Sequence, residues 1–202
     1  MKKLGLYGGT FSPPHLGHTH ALELFIEEEK PDRVLVMPTY MPPHKMRAES
    51  TSCEDRLAMA KLAFAHLSAV EISDWEIAHG GKSYTAVTLL ALAKHGWRIA
   101  FLCGTDMFLT LEEWYSPKKI FELADIVCMP REEDGAIDTL EKKAALYREK
   151  YGATVRILKR APRELSSTEV RRCISEGSEE KLGGMLAPEV WAYIKEKGLY
   201  RE

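Results

Sequence analysis

The chain of 202 residues carries 28 Lys plus Arg against 30 Asp plus Glu, a formal charge of −2, so no broad attraction to a nucleic acid is expected and any anion site must be local. With 45% apolar and 29% charged residues and only 14 Gly and 10 Pro, the composition excludes a disordered or collagen-like chain. A globular chain of this length buries about 70% of its unfolded surface, so no disulfide is needed to hold it.

The opening Met1-Lys2-Lys3-Leu4-Gly5 reaches Gly8-Gly9-Thr10 too early for the apolar core of a signal peptide, and no apolar run is long enough to span a bilayer. A cytoplasmic protein without a membrane partner is expected. Cys53, Cys103, Cys128 and Cys173 form no C-x-x-C pair, which disfavours a zinc ribbon or a redox couple. They read as reduced thiols, at least two of them buried in strands.

The first predicted strand is Leu4 to Tyr7, and it runs into Gly8-Gly9-Thr10-Phe11-Ser12-Pro13-Pro14-His15-Leu16-Gly17-His18. Glycines at the end of a first strand let backbone N–H groups approach a ligand, and the positive end of the following helix suits phosphate. At about 100° per residue, His15 and His18 fall on one face near the helix start, while His20 lies roughly 140° from His15 and is a bystander. The helix potential is expected to lower both imidazole pKa values, which makes an anion a natural partner. Two plainer readings stand beside this one. The glycines could form an ordinary turn with the histidines capping a helix, or H-x-x-H could begin a zinc site, although the Glu of H-E-x-x-H and a nearby third ligand are missing. The string is neither a P-loop nor G-x-G-x-x-G.

Helical spacing continues from His18 to Lys30, with Ala21, Leu22, Phe25 and Ile26 on one stripe. The second strand, Val34 to Met37, ends in Pro38-Thr39 with no acidic residue for a ribose 2′-hydroxyl, which disfavours a dehydrogenase. Pro38 to Ser50 has three prolines and no apolar period, and a loop of this length points to function or disorder. Within it Pro42-Pro43-His44-Lys45 puts a cation on a stiffened segment, where Lys45 could reach a phosphate or simply be solvated. Ser52-Cys53-Glu54-Asp55 has the form of a capping box opening the next helix.

Val70 to Ile72 is a third strand, and a helix from Tyr84 to His95 stops at Gly96. The fourth strand, Ile99 to Cys103, is followed by Gly104-Thr105-Asp106 at the carboxyl edge where open sheets bind ligands. There Asp106 could accept from ribose hydroxyls, help hold a metal or cap a helix. Trp114-Tyr115 could stack a flat ring or pack at an element end. Ile126 to Met129 and Val155 to Leu158 complete six strands. Their apolar runs are continuous, the mark of strands covered on both faces. The alternation of strand and helix implies an open, doubly wound parallel α/β sheet over 1–160.

Beyond Leu158 the pattern is helical, with one segment from about Ser167 and another with Pro188 in its first turn and Gly198 just past its end. A small C-terminal helical subdomain over 161–202 is expected. In Leu165-Ser166-Ser167-Thr168-Glu169-Val170-Arg171-Arg172 the hydroxyls and Glu169 mark a helix start. Two arginines in the first turns would oppose the helix dipole, a conflict that a bound polyphosphate resolves with the N–H groups, hydroxyls and Arg171 as donors. Arg172 points about 100° away, toward the surface.

With these residues in view, the chain resembles the bacterial nicotinate-nucleotide adenylyltransferases, within the nucleotidylyltransferase superfamily of Rossmann-like, HIGH-type α/β folds. Gly8 to His18 is similar to the signature G-G-T-F-[DS]-P-x-H-x-G-H, and Leu165 to Arg171 to I-S-S-T-x-x-R. The narrower likeness rests on Pro42-Pro43-His44-Lys45, Ser83-Tyr84-Thr85, Gly104 to Phe108 with Leu111 and Trp114, and the closing Tyr193-Ile194 and Leu199-Tyr200. It implies transfer of AMP from ATP to nicotinate mononucleotide, giving deamido-NAD and pyrophosphate with Mg²⁺, and leaves a homo-oligomer open. His15 and His18 would be catalytic. The backbone of Gly8, Gly9, Thr10 and Phe11, together with Gly104, Asp106, Ser167, Thr168 and Arg171, would bind ATP. Lys45, Thr85, Trp114 and Tyr115 would bind nicotinate mononucleotide. Ser12 stands where the family mostly has Asp, Val87 where Asp is common after S-Y-T, and Arg131-Glu132 in place of Arg-Pro-Gly.

Overall fold

The computed structural model describes residues 2–42, 51–131 and 136–201. In chain order the elements are β1 (Lys3–Gly9), α1 (Leu16–Glu29), β2 (Arg33–Pro38), α2 (Cys53–Phe64), β3 (Val70–Ile72), α3 (Trp75–His79), α4 (Thr85–Ala93) and β4 (Arg98–Gly104). Then come α5 (Thr105–Thr110), a 3-10 turn (Leu111–Glu113), α6 (Pro117–Leu123), β5 (Ala124–Met129), α7 (Ala136–Tyr151), β6 (Val155–Ile157), α8 (Ser167–Ser175), α9 (Glu179–Leu182) and α10 (Pro188–Lys197). All six predicted strands form, paired in parallel in the order β3-β2-β1-β4-β5-β6. The chain reverses its direction of winding between β1 and β4, and the crevice at such a switch point is where open α/β sheets take ligands.

Alternation along β4 explains why the apolar runs are continuous. Ala100 and Leu102 join Leu22, Phe25, Met59 and Phe64 of α1 and α2 on one face. Ile99, Phe101 and Cys103 join Leu89, Phe108, Ile120, Leu140 and Tyr147 of α4 to α7 on the other. Successive side chains point to opposite faces and both faces are covered, so every position is apolar. Val170, Cys173, Leu182, Val190 and Ile194 from α8, α9 and α10 belong to the same apolar cluster as α1 and α2. Each fully buried side chain of this kind contributes about 1.5–3 kcal/mol. Cys103 and Cys128 are buried in strands, Cys173 is buried in α8, Cys53 is partly exposed, and all four are free thiols.

Local signals set the helix ends. The Ser52 hydroxyl accepts from the Asp55 N–H at 3.0 Å as α2 begins, Pro188 opens α10, and Gly198 closes it in the left-handed conformation that glycine favours. The first helix starts at Leu16, earlier than the His18 that its apolar stripe suggests, because His15 itself is the cap. Among the described residues no helix is long and apolar enough to cross a membrane.

Candidate functional site

At the carboxyl ends of β1 and β4 lies a cavity of about 390 Å³ whose wall includes Gly8, Gly9, Thr10 and Phe11 from the first loop. His15 and His18 reach it from α1, Gly104 and Asp106 from the end of β4, and Ser167 from the start of α8. Two helix beginnings some 150 residues apart in sequence thus open on one space. Direct bonds hold them there: Ser167 Oγ donates to the Pro13 carbonyl at 2.9 Å, and Arg171 Nη1 donates to the Ser12 carbonyl at 2.6 Å. The Leu16 N–H, one of the orphan donors of α1, reaches the Met185 carbonyl at 2.8 Å.

The histidines form a reciprocal cap. The His18 N–H donates to His15 Nδ1 at 3.3 Å, the His15 N–H donates to His18 Nδ1 at 3.1 Å, and the rings stack with centroids 3.7 Å apart. An Nδ1 that accepts carries no proton, so each neutral ring bears its hydrogen on Nε2. Burial first, offset in part by a backbone hydrogen bond, lowers the His15 pKa to about 4. Burial and then the neighbouring His15 hold His18 well below its ordinary value. Both shifts run in the expected direction, and loss of hydration is a cause that the spacing of the histidines does not reveal. His20 stands apart, its Nδ1 accepting from the Arg163 N–H at 2.9 Å.

Glycines shape the walls in two ways. A Cβ on Gly17 would lie 2.8 Å from the Arg163 carbonyl oxygen, so only glycine lets α1 pass that strand of backbone. Gly8 and Gly104 would meet nothing within 4 Å, and the space their missing side chains leave is part of the cavity. Phe11 adopts φ 51° with its ring buried, packed edge-on against His18 at 5.2 Å and Phe64 at 5.7 Å. Its backbone therefore faces the cavity while its side chain belongs to the core.

Other expected site residues lie elsewhere. Thr168 and Arg171 do not form the cavity wall; Arg171 Nη2 donates to Thr168 Oγ1 at 3.1 Å while Nη1 holds Ser12. Ser12 is buried, and its hydroxyl lies 3.2 Å from the Tyr200 hydroxyl. The reading of two arginines in the first turns of α8 needs correction: the helix has nine residues, so the exposed Arg172 sits in its last turn, where a cation is favourable. Asp106 is exposed and paired with Arg131 Nη2 at 2.6 Å. Thr85 is the first residue of α4, whose Tyr84 cap makes no side-chain bond. The Tyr84 and Tyr115 rings lie 4.7 Å apart, and Trp114 packs edge-on against Phe101 at 6.4 Å. Lys45, with His44 and Glu132, lies outside the described residues.

Arg131, Arg163 and Tyr7 also line the cavity and escaped sequence reasoning. Arg131 follows the apolar run of β5 by two positions, so the carboxyl-edge rule applied to Gly104 points to it as well. Nothing local in the sequence marks Arg163 or Tyr7.

The chain matches the Cytidylyltransferase-like family model over residues 6–173. It is 34% identical to a protein of Trichlorobacter lovleyi and 35% identical to one of Neisseria meningitidis serogroup A, both named "Probable nicotinate-nucleotide adenylyltransferase". The first comparison covers 98% of this chain and 99% of the relative, the second 100% of each. The fold is shared with a solved structure of Plasmodium falciparum nicotinic acid mononucleotide adenylyltransferase complexed with NaAD, at a TM-score of 0.79 and 17% identity over 99% of this chain and 98% of that one. A parallel sheet with a cavity at its switch point, a paired-histidine helix cap and this similarity over the whole length place the chain in the nicotinate-nucleotide adenylyltransferase family of cytidylyltransferase-like nucleotidyltransferases.

Proposed function

We propose that this protein transfers AMP from ATP to nicotinate mononucleotide, forming deamido-NAD and releasing pyrophosphate. The observation that carries the reading is the pair of neutral imidazoles at a helix start, both Nδ1 atoms occupied by backbone N–H groups, on the wall of a cavity that the start of α8 also reaches. A phosphate oxygen of the acceptor attacks the ATP α-phosphorus in line. The bond from that phosphorus to the bridging oxygen breaks, and its electron pair leaves with pyrophosphate. No enzyme nucleophile is needed, so this chain's residues position the two phosphates and neutralise the charge that develops on them. The Nε2–H groups of His15 and His18 and the backbone N–H groups of Gly9 to Phe11 do so, with Ser167 at the α8 end. Arg171 and Thr168 act from beside the cavity, and Arg171 also keeps the loop in place through Ser12.

Thr85 and the start of α4 take the pyridine carboxylate, because uncapped helical N–H groups and the positive dipole end favour an anion. Trp114, Tyr115 and Tyr84 supply aromatic surface for the ring, and Lys45 contributes a cation for the acceptor phosphate. Mg²⁺ fits as an ion that arrives on the triphosphate. Such sites use one or two carboxylates plus phosphate oxygens, Asp106 is an exposed oxygen donor on the cavity wall, and among the described residues no three metal-binding side chains converge. When bound, the ion supplies charge neutralisation on the phosphate oxygens.

Pyrophosphate release with ATP and nicotinate mononucleotide, run beside the nicotinamide form, tests the proposal. Faster turnover of the acid is expected. Release from neither acceptor overturns the reaction, and a preference for the amide overturns the acceptor assignment. The open space at Gly104 gives a second expected outcome. In Gly104→Ala the added Cβ meets cavity rather than protein, so thermal stability holds while KM for ATP rises about tenfold, a loss near 1.4 kcal/mol. Paired thermal melts and initial-rate titrations with ATP check it.

A further inference from the structure

Arg56 is 1% exposed and heads the fully buried side chains by volume, yet it faces no substrate in the scheme above. Among the described residues no carboxylate pairs with it. Its partners are backbone carbonyls from two separate loops and one thiol. Nη1 donates to the Thr10 carbonyl at 2.8 Å, and Nη2 donates to the carbonyls of Thr39 at 2.6 Å and Tyr40 at 3.2 Å, with Cys53 Sγ at 3.1 Å. A buried guanidinium is costly unless its donors are satisfied; both Nη groups are satisfied, while among the described residues the buried Nε–H has no partner. Here it is placed where the chain leaves β1 and where it leaves β2, the two neighbouring strands whose exits border the cavity and the 39–42 segment.

The consequence follows from peptide planarity. In a trans peptide the C=O and the next N–H point in opposite directions. At Thr39–Tyr40 this is observed: the Thr39 carbonyl faces Arg56 while the Tyr40 N–H donates away from it to Ser83 Oγ at 2.9 Å, two residues before Thr85. At Thr10–Phe11 the carbonyl again faces Arg56, and Phe11 holds φ 51°, a conformation that needs support from its surroundings. The opposite end of that peptide, the Phe11 N–H, belongs to the loop lining the cavity.

We propose that Arg56 is a positioning residue. Gripping the Thr10 carbonyl, it turns the Phe11 N–H toward the nucleotide phosphates, and the same guanidinium sets the 39–41 backbone on the acceptor side. One buried side chain thereby fixes the spacing of the two substrate loops. This rests on the adenylyl-transfer reading above, but one arm of its test does not.

The test uses the full-length protein with Arg56→Lys, and Arg56→Ala with and without added methylguanidinium. The probe is α,β-methylene-ATP, which reports nucleotide binding without any acceptor. In the wild type the Phe11 backbone amide resonance moves downfield as the analogue is titrated in. In Arg56→Lys, with a far-UV spectrum and cooperative melt like the wild type, that movement is lost and kcat falls about 10- to 100-fold, roughly one to two tenfold steps in transition-state stabilisation. Methylguanidinium restores part of both in Arg56→Ala. A folded Arg56→Lys with wild-type kcat overturns the proposal, as does a Phe11 amide that responds identically in wild type and variant, or an Arg56→Ala that methylguanidinium leaves unchanged. If the wild type binds the analogue with the Phe11 response yet releases no pyrophosphate with nicotinate mononucleotide, the acceptor reading fails while the positioning role stands.

Discussion

His18→Ala is expected to turn over about 10²- to 10³-fold more slowly than the wild type, the effect of removing one donor aimed at developing charge. The imidazole is fixed before substrate arrives: its Nδ1 accepts from the His15 N–H and its ring stacks on His15, so the Nε2–H needs no reorganisation during phosphoryl transfer. That bond is the reciprocal half of the capping box, and the His15 side-chain cap on the His18 N–H survives the substitution. Losing one hydrogen bond costs about 1 kcal/mol, which lowers Tm by only about 2–4 °C in a chain of this size. The two effects separate cleanly. Single-turnover rates beside thermal melts therefore distinguish a catalytic donor from a structural cap: a large rate loss with a small Tm loss is expected. Unchanged turnover removes His18 from the mechanism, and a melt lowered by tens of degrees assigns it to the fold.

Much of the scaffold was legible because it depends on short-range rules. Continuous apolar runs mark strands covered on both faces, and all six appear where those runs lie. Caps at Ser52, Pro188 and Gly198 act within a few residues, so they too are visible in one dimension. The histidine pair was legible for the same reason, since spacing on a helix is local. What the chain hides is anything set by contacts between distant segments. Arg171 reads as a phosphate ligand from its place beside a helix start, yet its nearest partner is a carbonyl 159 positions earlier. Arg163 lines the cavity because the segment before α8 passes over Gly17. The depressed imidazole pKa values were anticipated from the helix potential, whereas burial, which also lowers them, is not reported by sequence spacing. Asp106 reads as a free acceptor until β5 brings Arg131 alongside it.

Acid should weaken this fold earlier than carboxylate protonation alone would. His15 titrates near 4 in the folded protein against an ordinary value of 6.5, so between those values the unfolded chain binds the proton that the folded one refuses. Where the unfolded state holds more protons, stability rises with pH. The histidine contribution is thus intact above pH 6.5 and is lost progressively as pH falls toward 4. With those two values, the unfolding free energy drops by about 2–3 kcal/mol between pH 7.5 and 4.5 from His15 alone, and the lowered His18 acts in the same direction. Glu76 acts in the opposite direction, because burial raises its pKa and its protonation favours the folded state as pH falls. Asp55 and Glu112, both lowered by their hydrogen-bond partners, lose their contributions only at lower pH. Urea unfolding of the wild type and of His15→Asn at pH 7.5 and 4.5 isolates the imidazole: the asparagine keeps a capping acceptor and carries no titrating group. The wild type should lose about 2 kcal/mol more than the variant over that interval. Equal losses in the two proteins would mean that the His15 ring protonates as readily in the folded chain as in the unfolded one. A neutral Nε2–H donor across the working pH range would then no longer describe the site.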